Sequence, residues 1–266
     1  MTRRRLDAEL VRRGLVASRA EAQAAVSDGL VLVAGRPGAK PSTLVEPGDA
    51  IALSRPARRF VSRGGDKLDA ALDRFAIDPG GRECLDAGAS TGGFTDCLLN
   101  RGAAHVVAVD VGYGQLAWPL RGDPRVTVLE RTNVRDLEPS MLSYAPSLLV
   151  ADLSFISLTL TALPLARVSA GGADVVLLVK PQFEAGPRDV GRGGVVRDPA
   201  IWRRAIERVI RACAEADLGP VAVMPSPVRG PAGNVEFPLH LVRGGQGGAP
   251  DVEAALAEAG RMVGAA

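Results

Sequence analysis

At 266 residues, 47% hydrophobic and 23% charged, the chain has the composition of a core-forming protein with one large domain or two unequal ones, and disorder is excluded. Three scattered cysteines without a C-x-x-C pair and only two histidines, His105 and His240, exclude a disulfide scaffold and a zinc site and fit a reducing compartment. The net charge of +2 conceals an asymmetry: residues 1–67 carry 13 Lys/Arg against 7 Asp/Glu, and the rest carry 19 against 23, so a polyanion is expected at the N-terminal part.

The chain opens MTRRRLDAELVRR, basic but without the apolar stretch of a signal peptide. Its longest uncharged runs, residues 139–151 and 153–166, contain proline and are too short to span a bilayer, so a cytoplasmic protein is expected. Apolar residues at 6, 10, 11 and 15 predict a helix ending near Gly14. Ser18 and Glu21 form a capping box for a second helix with the stripe Ala22, Ala25 and Val26, closed by Gly29. Short strands follow at residues 30–33 and 49–53, with turns at Gly35–Gly38 and Pro47–Gly48. SRPARRFV, residues 54–61, reads as a basic proline-containing connector. The division is therefore a small domain over 1–56, a linker over 57–63 and a large domain over 64–266. Phe60 is the linker residue suited to pack against the large domain and set the angle between the two.

From residue 68 the pattern changes. A helix over 68–75 precedes strands at 83–87, 105–111, 126–129, 148–152, 174–180, 221–224 and 235–242. Helices are expected at 92–101, 116–120, 138–144, 158–168, 199–216 and 252–262. This alternation predicts an α/β, Rossmann-like, seven-stranded and mostly parallel sheet covered on both faces. The final two strands have no helix between them, which points to one antiparallel strand.

The first strand leads into ECLDAGASTGGF, residues 83–94. Its glycines, Gly88, Gly92 and Gly93, are spaced G-x-x-x-G-G, which is neither the dinucleotide fingerprint nor a Walker loop. A nucleoside without a pyrophosphate fits better, S-adenosyl-L-methionine foremost; the same turn would also serve tight packing alone. Ligands in such sheets sit beyond the carboxyl ends of the strands. Those ends carry Asp86; Asp110; Arg131-Thr132-Asn133; Asp152-Leu153-Ser154-Phe155; and Lys180-Pro181-Gln182-Phe183-Glu184. Asp110 is placed to accept from ribose hydroxyls and Asn133 to meet an adenine edge. Carboxylates such as Asp152 also cap following helices, but a polar group at all five ends favours one shared pocket.

LDAELVRRGLVASRAEAQAAVSDGLVLVAGR resembles the S4 RNA-binding domain, a small α+β module. The resemblance implies that Arg4, Arg5, Arg19 and Lys40 grip structured RNA through its backbone. VSRGGDKL, LDAGASTGGFTD, VDVGYGQL, ADLSFISL, KPQFEAG and GNVEF resemble the TlyA (hemolysin A) family of ribosomal RNA 2′-O-methyltransferases, an S4 domain followed by an FtsJ-like, class I methyltransferase domain. That implies a catalytic tetrad of Lys67, Asp152, Lys180 and Glu236. It implies cofactor contacts from Gly88, Ser90, Gly92, Gly93, Phe94, Asp110 and Asn133, to which the strand ends add Asp86, Asp152 and Phe155. The implied cofactor is S-adenosyl-L-methionine, with no metal, and the partner is ribosomal RNA or a ribosomal subunit, not a membrane. The implied target is a cytidine ribose in 23S rRNA, and in longer members 16S rRNA too. The basic residues Thr2–Arg5 lean toward the dual type, and the modification bears on sensitivity to capreomycin-type antibiotics.

A ribose 2′-hydroxyl must lose its proton as it attacks an electrophilic methyl group. A lysine near a second lysine and out of water has its neutral form favoured, so it serves as base or steadies the alkoxide. Lys180 takes that role in this reading, Lys67 orients the hydroxyl, and Asp152 and Glu236 hold the ammonium groups. The glycine-rich segments 186–194 and 227–233 are expected to order only on RNA, with Arg188, Arg192 and Arg197 facing phosphate. A non-catalytic RNA-binding assembly factor and a membrane-active haemolysin are the alternatives, and a dinucleotide oxidoreductase is disfavoured by the glycine spacing.

Overall fold

The computed structural model describes residues 3–16, 18–27, 29–38, 40–53, 59–186, 189–191, 193–245 and 247–264. They form two compact units that divide between Arg58 and Arg59. The Glu21 half of the capping box, Thr2, and most of the connector lie outside what is described, as do Arg188 and Arg192.

The first unit holds β1 (Arg4–Arg5), α1 (Leu6–Arg12), α2 (Arg19–Ser27), β2 (Val31–Val33), β3 (Arg36–Pro37), β4 (Leu44–Val45) and β5 (Ile51–Leu53). Both helices end on a left-handed glycine. The N–H groups of Gly14 and Leu15 bond back to Val11 and Leu10, and those of Gly29 and Leu30 to Val26 and Ala25. Leu6, Leu10, Ala22, Val26, Val31 and Val45 close the core between the helices and the strands β3–β2–β5. Arg4 and Arg5, expected as part of a basic extension, pair with Val45 and Leu44 and so belong to the fold itself.

The second unit contains α3 (Gly64–Phe75), β6 (Glu83–Ala87), α4 (Gly93–Asn100), β7 (His105–Val109), α5 (Trp118–Arg121), β8 (Val126–Leu129), β9 (Leu148–Ala151), α6 (Ala162–Val168), β10 (Asp174–Val179), α7 (Pro181–Glu184), α8 (Pro199–Glu215), β11 (Leu218–Val223), β12 (Phe237–Arg243) and α9 (Val252–Gly264). The sheet order is β11–β12–β10–β9–β6–β7–β8. β12 is antiparallel to both of its neighbours, β10 and β11, while the pairings among β6 to β10 are parallel. The antiparallel strand is thus inserted between β10 and β11 and does not end the sheet. This reversal has a consequence for chemistry: the start of β12 lies at the carboxyl edge of the parallel strands, with Phe237 opposite Val179. Strand order changes direction between β6 and β9, and there Ala87 lies beside Ala151. Such a switch point opens a crevice for a ligand.

Several elements differ from the sequence expectation for local reasons. Residues 138–144 make only a 3₁₀ turn, Pro139–Met141. Residues 158–168 split into a 3₁₀ turn, Leu158–Leu160, and α6, because Pro164 has no N–H to bond back to Leu160. α3 begins at Gly64, four residues early, which puts Lys67 on its first turn. A pair of glycines is a poor helix start by propensity. Packing explains it: a Cβ on Gly65 would lie 2.3 Å from the Phe60 ring, and one on Gly93 would lie 2.9 Å from the Gly65 nitrogen. The amino ends of α3 and α4 therefore abut, and only glycine permits it. Residues 59–63 pack with this unit; Phe60 is buried, and the Val61 N–H donates to Asp96 Oδ2 at 2.7 Å.

Candidate active site

The glycine turn after β6 is held from two sides. Gly88 and Ala89 donate their N–H groups to the Val109 carbonyl, and Ser90 donates to Asp110 Oδ2 at 2.7 Å. Asp110 Oδ1 accepts from the Gly112 N–H at 2.7 Å. Gly88 has φ +86°, and a Cβ there would stand 2.7 Å from the Asp152 carbonyl oxygen; Gly92 has φ +98° and faces Leu116 and Leu120. Both positions demand glycine on conformation and on space.

Two cavities meet at this turn. The larger, about 750 Å³, is lined by Gly88, Ser90, Asp110, Asn133, Asp152 and Phe155, together with apolar Val111, Leu153, Ile156 and Leu160. The smaller, about 280 Å³, is lined by Lys67, Asp152, Lys180 and Glu236, with Gly93, Phe94, Ser62 and Arg229. Gly88, Ser90, Asp152 and Ser154 line both. Of the residues expected to catalyse or to hold the cofactor, Gly92 and Asp86 line neither. Asp86 is fully buried beneath the turn, where Thr95 Oγ1 donates to its Oδ2 at 2.6 Å and Oδ1 has no hydrogen-bond partner among the described residues. Burial pushes this carboxyl up to about 7, with the Thr95 hydroxyl opposing the rise.

Four of the charged groups lining the smaller cavity form two ion pairs. Lys67 Nζ is 2.5 Å from Glu236 Oε2, and Lys180 Nζ is 2.5 Å from Asp152 Oδ1. Lys180 also donates to Ser154 Oγ at 2.8 Å. Both lysines and Glu236 are buried. A buried charge is tolerable only when paired and hydrogen-bonded, and here each cation has its own carboxylate. Each group comes from a different element: Lys67 from α3, Asp152 after β9, Lys180 after β10, and Glu236 immediately before β12.

The loops behind Asp152 and Lys180 are clamped to each other. Glu184 accepts from Ser157 Oγ at 2.5 Å and from the Leu158 N–H at 2.8 Å, and burial raises its carboxyl above the ordinary value. Phe155, 92% exposed and left-handed at φ +61°, packs its ring 5.1 Å from that of Phe183. Asn133 Oδ1 caps a 3₁₀ turn through the Arg135 N–H, so its NH₂ group is what remains to donate. In and beside residues 227–233, the Gly230 N–H donates to the Asn234 carbonyl and the Gly233 N–H to the Gly230 carbonyl. Arg229 Nη2 donates to the Met262 carbonyl at 2.8 Å. Arg197 is exposed.

Sequence reasoning overlooked roles for Ser154, Glu184 and Arg229. Ser154 and Glu184 stand in the strand-end segments it singled out, and Arg229 stands in the glycine-rich segment 227–233. In the first unit Arg4, Arg5 and Lys40 are exposed, as is Arg19.

The FtsJ-like methyltransferase family model matches residues 60–243, and the S4 domain model matches residues 4–51. Over 240 residues, 90% of this chain and 90% of the relative, the sequence is 54% identical to the 16S/23S rRNA (cytidine-2′-O)-methyltransferase TlyA of Mycobacterium tuberculosis. The chain belongs to the TlyA family. Hemolysin A of Brachyspira hyodysenteriae is also similar, 38% identical over 90% of this chain and 99% of its own. A solved, hemolysin-named protein from Streptococcus thermophilus matches 100% of this chain and 98% of its own with a TM-score of 0.80 and 37% identity. The TlyA-family chain is thus an FtsJ-like methyltransferase carrying an S4 domain. Among the described residues no helix is long and apolar enough to cross a membrane.

Proposed function

We propose that this TlyA-family methyltransferase moves the methyl group of S-adenosyl-L-methionine to a cytidine 2′-hydroxyl of ribosomal RNA in the cytoplasm. Residues 1–56 act as the RNA-binding module and 64–266 as the catalytic domain. The observation that carries the reading is the pair of buried lysine–carboxylate contacts in a cavity that shares one wall with a nucleoside-sized neighbour.

The residues of the larger cavity suit S-adenosyl-L-methionine. Asp110 keeps lone pairs for ribose hydroxyls beyond the two N–H groups it already accepts, Asn133 keeps its NH₂ donors, and Val111, Leu153, Phe155 and Ile156 make an apolar slot for a base. The glycine turn supplies the close backbone approach. Gly88, Ser90, Gly92, Gly93, Phe94, Asp110, Asn133, Asp152 and Phe155 are proposed as the holding set. Asp86 acts from beneath by fixing Thr95 on the first turn of α4. When bound, the cofactor supplies an electrophilic methyl on a sulfonium that leaves as a neutral thioether.

The protein's part is to place and deprotonate the hydroxyl. Lys180 donates to Ser154 and is ion-paired with Asp152, which leaves ammonium N–H to meet the developing 2′-oxyanion. As the oxygen–carbon bond forms, the hydroxyl proton passes into the Lys180–Asp152 pair, whose carboxylate ends protonated while Lys180 stays an ammonium. Lys67, steadied by Glu236, orients the ribose. Positioning carries much of the rate. Arg4, Arg5, Arg19 and Lys40 would meet RNA phosphates, which adds affinity and salt dependence. The M. tuberculosis relative is named for both 16S and 23S rRNA, and both are proposed here, with the attendant capreomycin-type sensitivity.

The test is transfer of labelled methyl to separated ribosomal subunits, followed by mapping of the modified ribose. Lys180→Ala should abolish transfer and leave cofactor binding largely intact; wild-type turnover by that variant would sink the assignment. Label on a base instead of a ribose would overturn the 2′-O reading.

A further inference from the structure

Two carboxylates of the first unit lie where water does not reach them. Asp7 and Glu9, both on α1, are 0% and 1% exposed. Each is surrounded by guanidinium groups. Asp7 accepts a fork from Arg5, Nε at 3.1 Å and Nη2 at 2.9 Å, and also accepts from Arg19 Nη2 at 3.1 Å and Gln23 Nε2 at 3.3 Å. Glu9 accepts a fork from Arg12, Nε at 2.8 Å and Nη2 at 2.6 Å, and accepts from Arg13 Nε at 2.9 Å; Arg4 Nε lies 3.9 Å away. The Arg5 hydrogen bonds hold the Asp7 carboxyl well below the usual range, and those of Arg12 hold Glu9 at about 2. Both stay ionised at any pH at which the protein works.

The arginines are not used up by this. The side chains of Arg4, Arg5, Arg12 and Arg19 remain 57%, 46%, 51% and 59% exposed. Arg13 is drawn further in, and also donates to the Asp49 and Pro47 carbonyls at 2.8 and 3.0 Å. Five guanidiniums surround two carboxylates, so the cluster keeps a positive excess. Each guanidinium has five N–H donors in a fixed plane, and the anchored edge uses at most two of them at its carboxylate.

We infer that Asp7 and Glu9 are positioning residues for RNA binding, holding Arg4, Arg5, Arg12 and Arg19 as a pre-set comb for phosphate oxygens. The inference rests on the reading of this unit as the RNA-binding module. Long arginine side chains lose rotamer freedom on binding, and anchoring them in the folded protein removes that cost from the binding step. Simple charge counting demands the opposite outcome: removing a carboxylate from an RNA-facing surface raises the positive charge and tightens binding.

Asp7→Asn and Glu9→Gln keep shape and delete the charge. With the full-length protein and purified ribosomal subunits, each should raise KM for the subunit roughly tenfold while kcat and the affinity for S-adenosyl-L-methionine stay unchanged. The slope of log affinity against log salt should become shallower by about one per arginine released. Arg12→Lys, at an exposed position, keeps net charge and fold but loses the fork, and should raise KM in the same direction. It keeps the test open where a carboxylate variant fails to fold. Unchanged or lower KM in the folded carboxylate variants and in Arg12→Lys overturns the inference. A wild-type protein that methylates neither subunit would instead overturn the functional reading beneath it.

Discussion

Lys67 Nζ lies 2.5 Å from Glu236 Oε2, across 169 residues of sequence, and both residues are buried. Removing one partner of such a pair leaves the other charge buried and unmatched, which costs about 3–5 kcal/mol. Glu236→Ala should lose about that much in a urea titration. Lys67→Met combined with Glu236→Leu should recover most of the stability, while both variants lack methyl transfer. A double variant as unstable as the single would show that the pair is not the source of the loss.

Ser154 is the second partner of Lys180, at 2.8 Å. Ser154→Ala frees the ammonium to drift without touching its charge. A lost hydrogen bond of this kind is worth about 1–1.5 kcal/mol, or roughly tenfold in rate. Single-turnover methyl transfer should slow by that factor with little change in cofactor affinity; an unchanged rate would remove Ser154 from the site.

Gly88 and Gly114 both have positive φ, but only Gly88 has a backbone oxygen in the space of a side chain. The left-handed conformation alone costs a non-glycine residue about 1–2 kcal/mol. Gly114→Ala should show that cost in its melting temperature and still bind S-adenosyl-L-methionine. Gly88→Ala should lose binding in calorimetry, because the turn must retreat from Asp152. Equal affinities would make the turn a packing device only.

Asp86 gives a pH dependence of definite sign. Its folded value, about 7, lies above the ordinary 3.8, so the fold favours the protonated form. The resulting stability is complete below the unfolded value and is lost as pH rises through about 7, on the order of a few kcal/mol in all. Asp86→Asn should therefore gain on the wild type between about pH 4 and pH 7 in thermal melts. Parallel pH profiles would contradict the burial argument.

Phe60 fills the space above Gly65 and is buried. Phe60→Ala should cost about 3–5 kcal/mol. If it changed neither stability nor cofactor affinity, the segment would be a passive tether.

The strands were readable because each is an apolar run bounded by turn residues; Leu148–Ala151 and Asp174–Val179 are nearly unbroken, as strands buried on both faces must be. The start of α3 was not readable. Gly64 and Gly65 look like a loop until Gly93 and Phe60 are seen against them. Arg4, Arg5 and Arg19 were visible as charges, but nothing in their spacing indicated that they converge on two buried acids.

By itself the sequence determined the alternation of strands and helices, the glycine turn at the first strand end, and the residue types at the carboxyl edge, because these follow from periodicity and local conformation. Tertiary structure alone decided which lysine meets which carboxylate. Glu236 reaches the carboxyl edge only because β12 runs antiparallel between β10 and β11, which puts the start of that strand beside the end of β10 and Lys180. Pairing across such distances depends on strand order and direction, and neither is encoded in the spacing of the residues that use it.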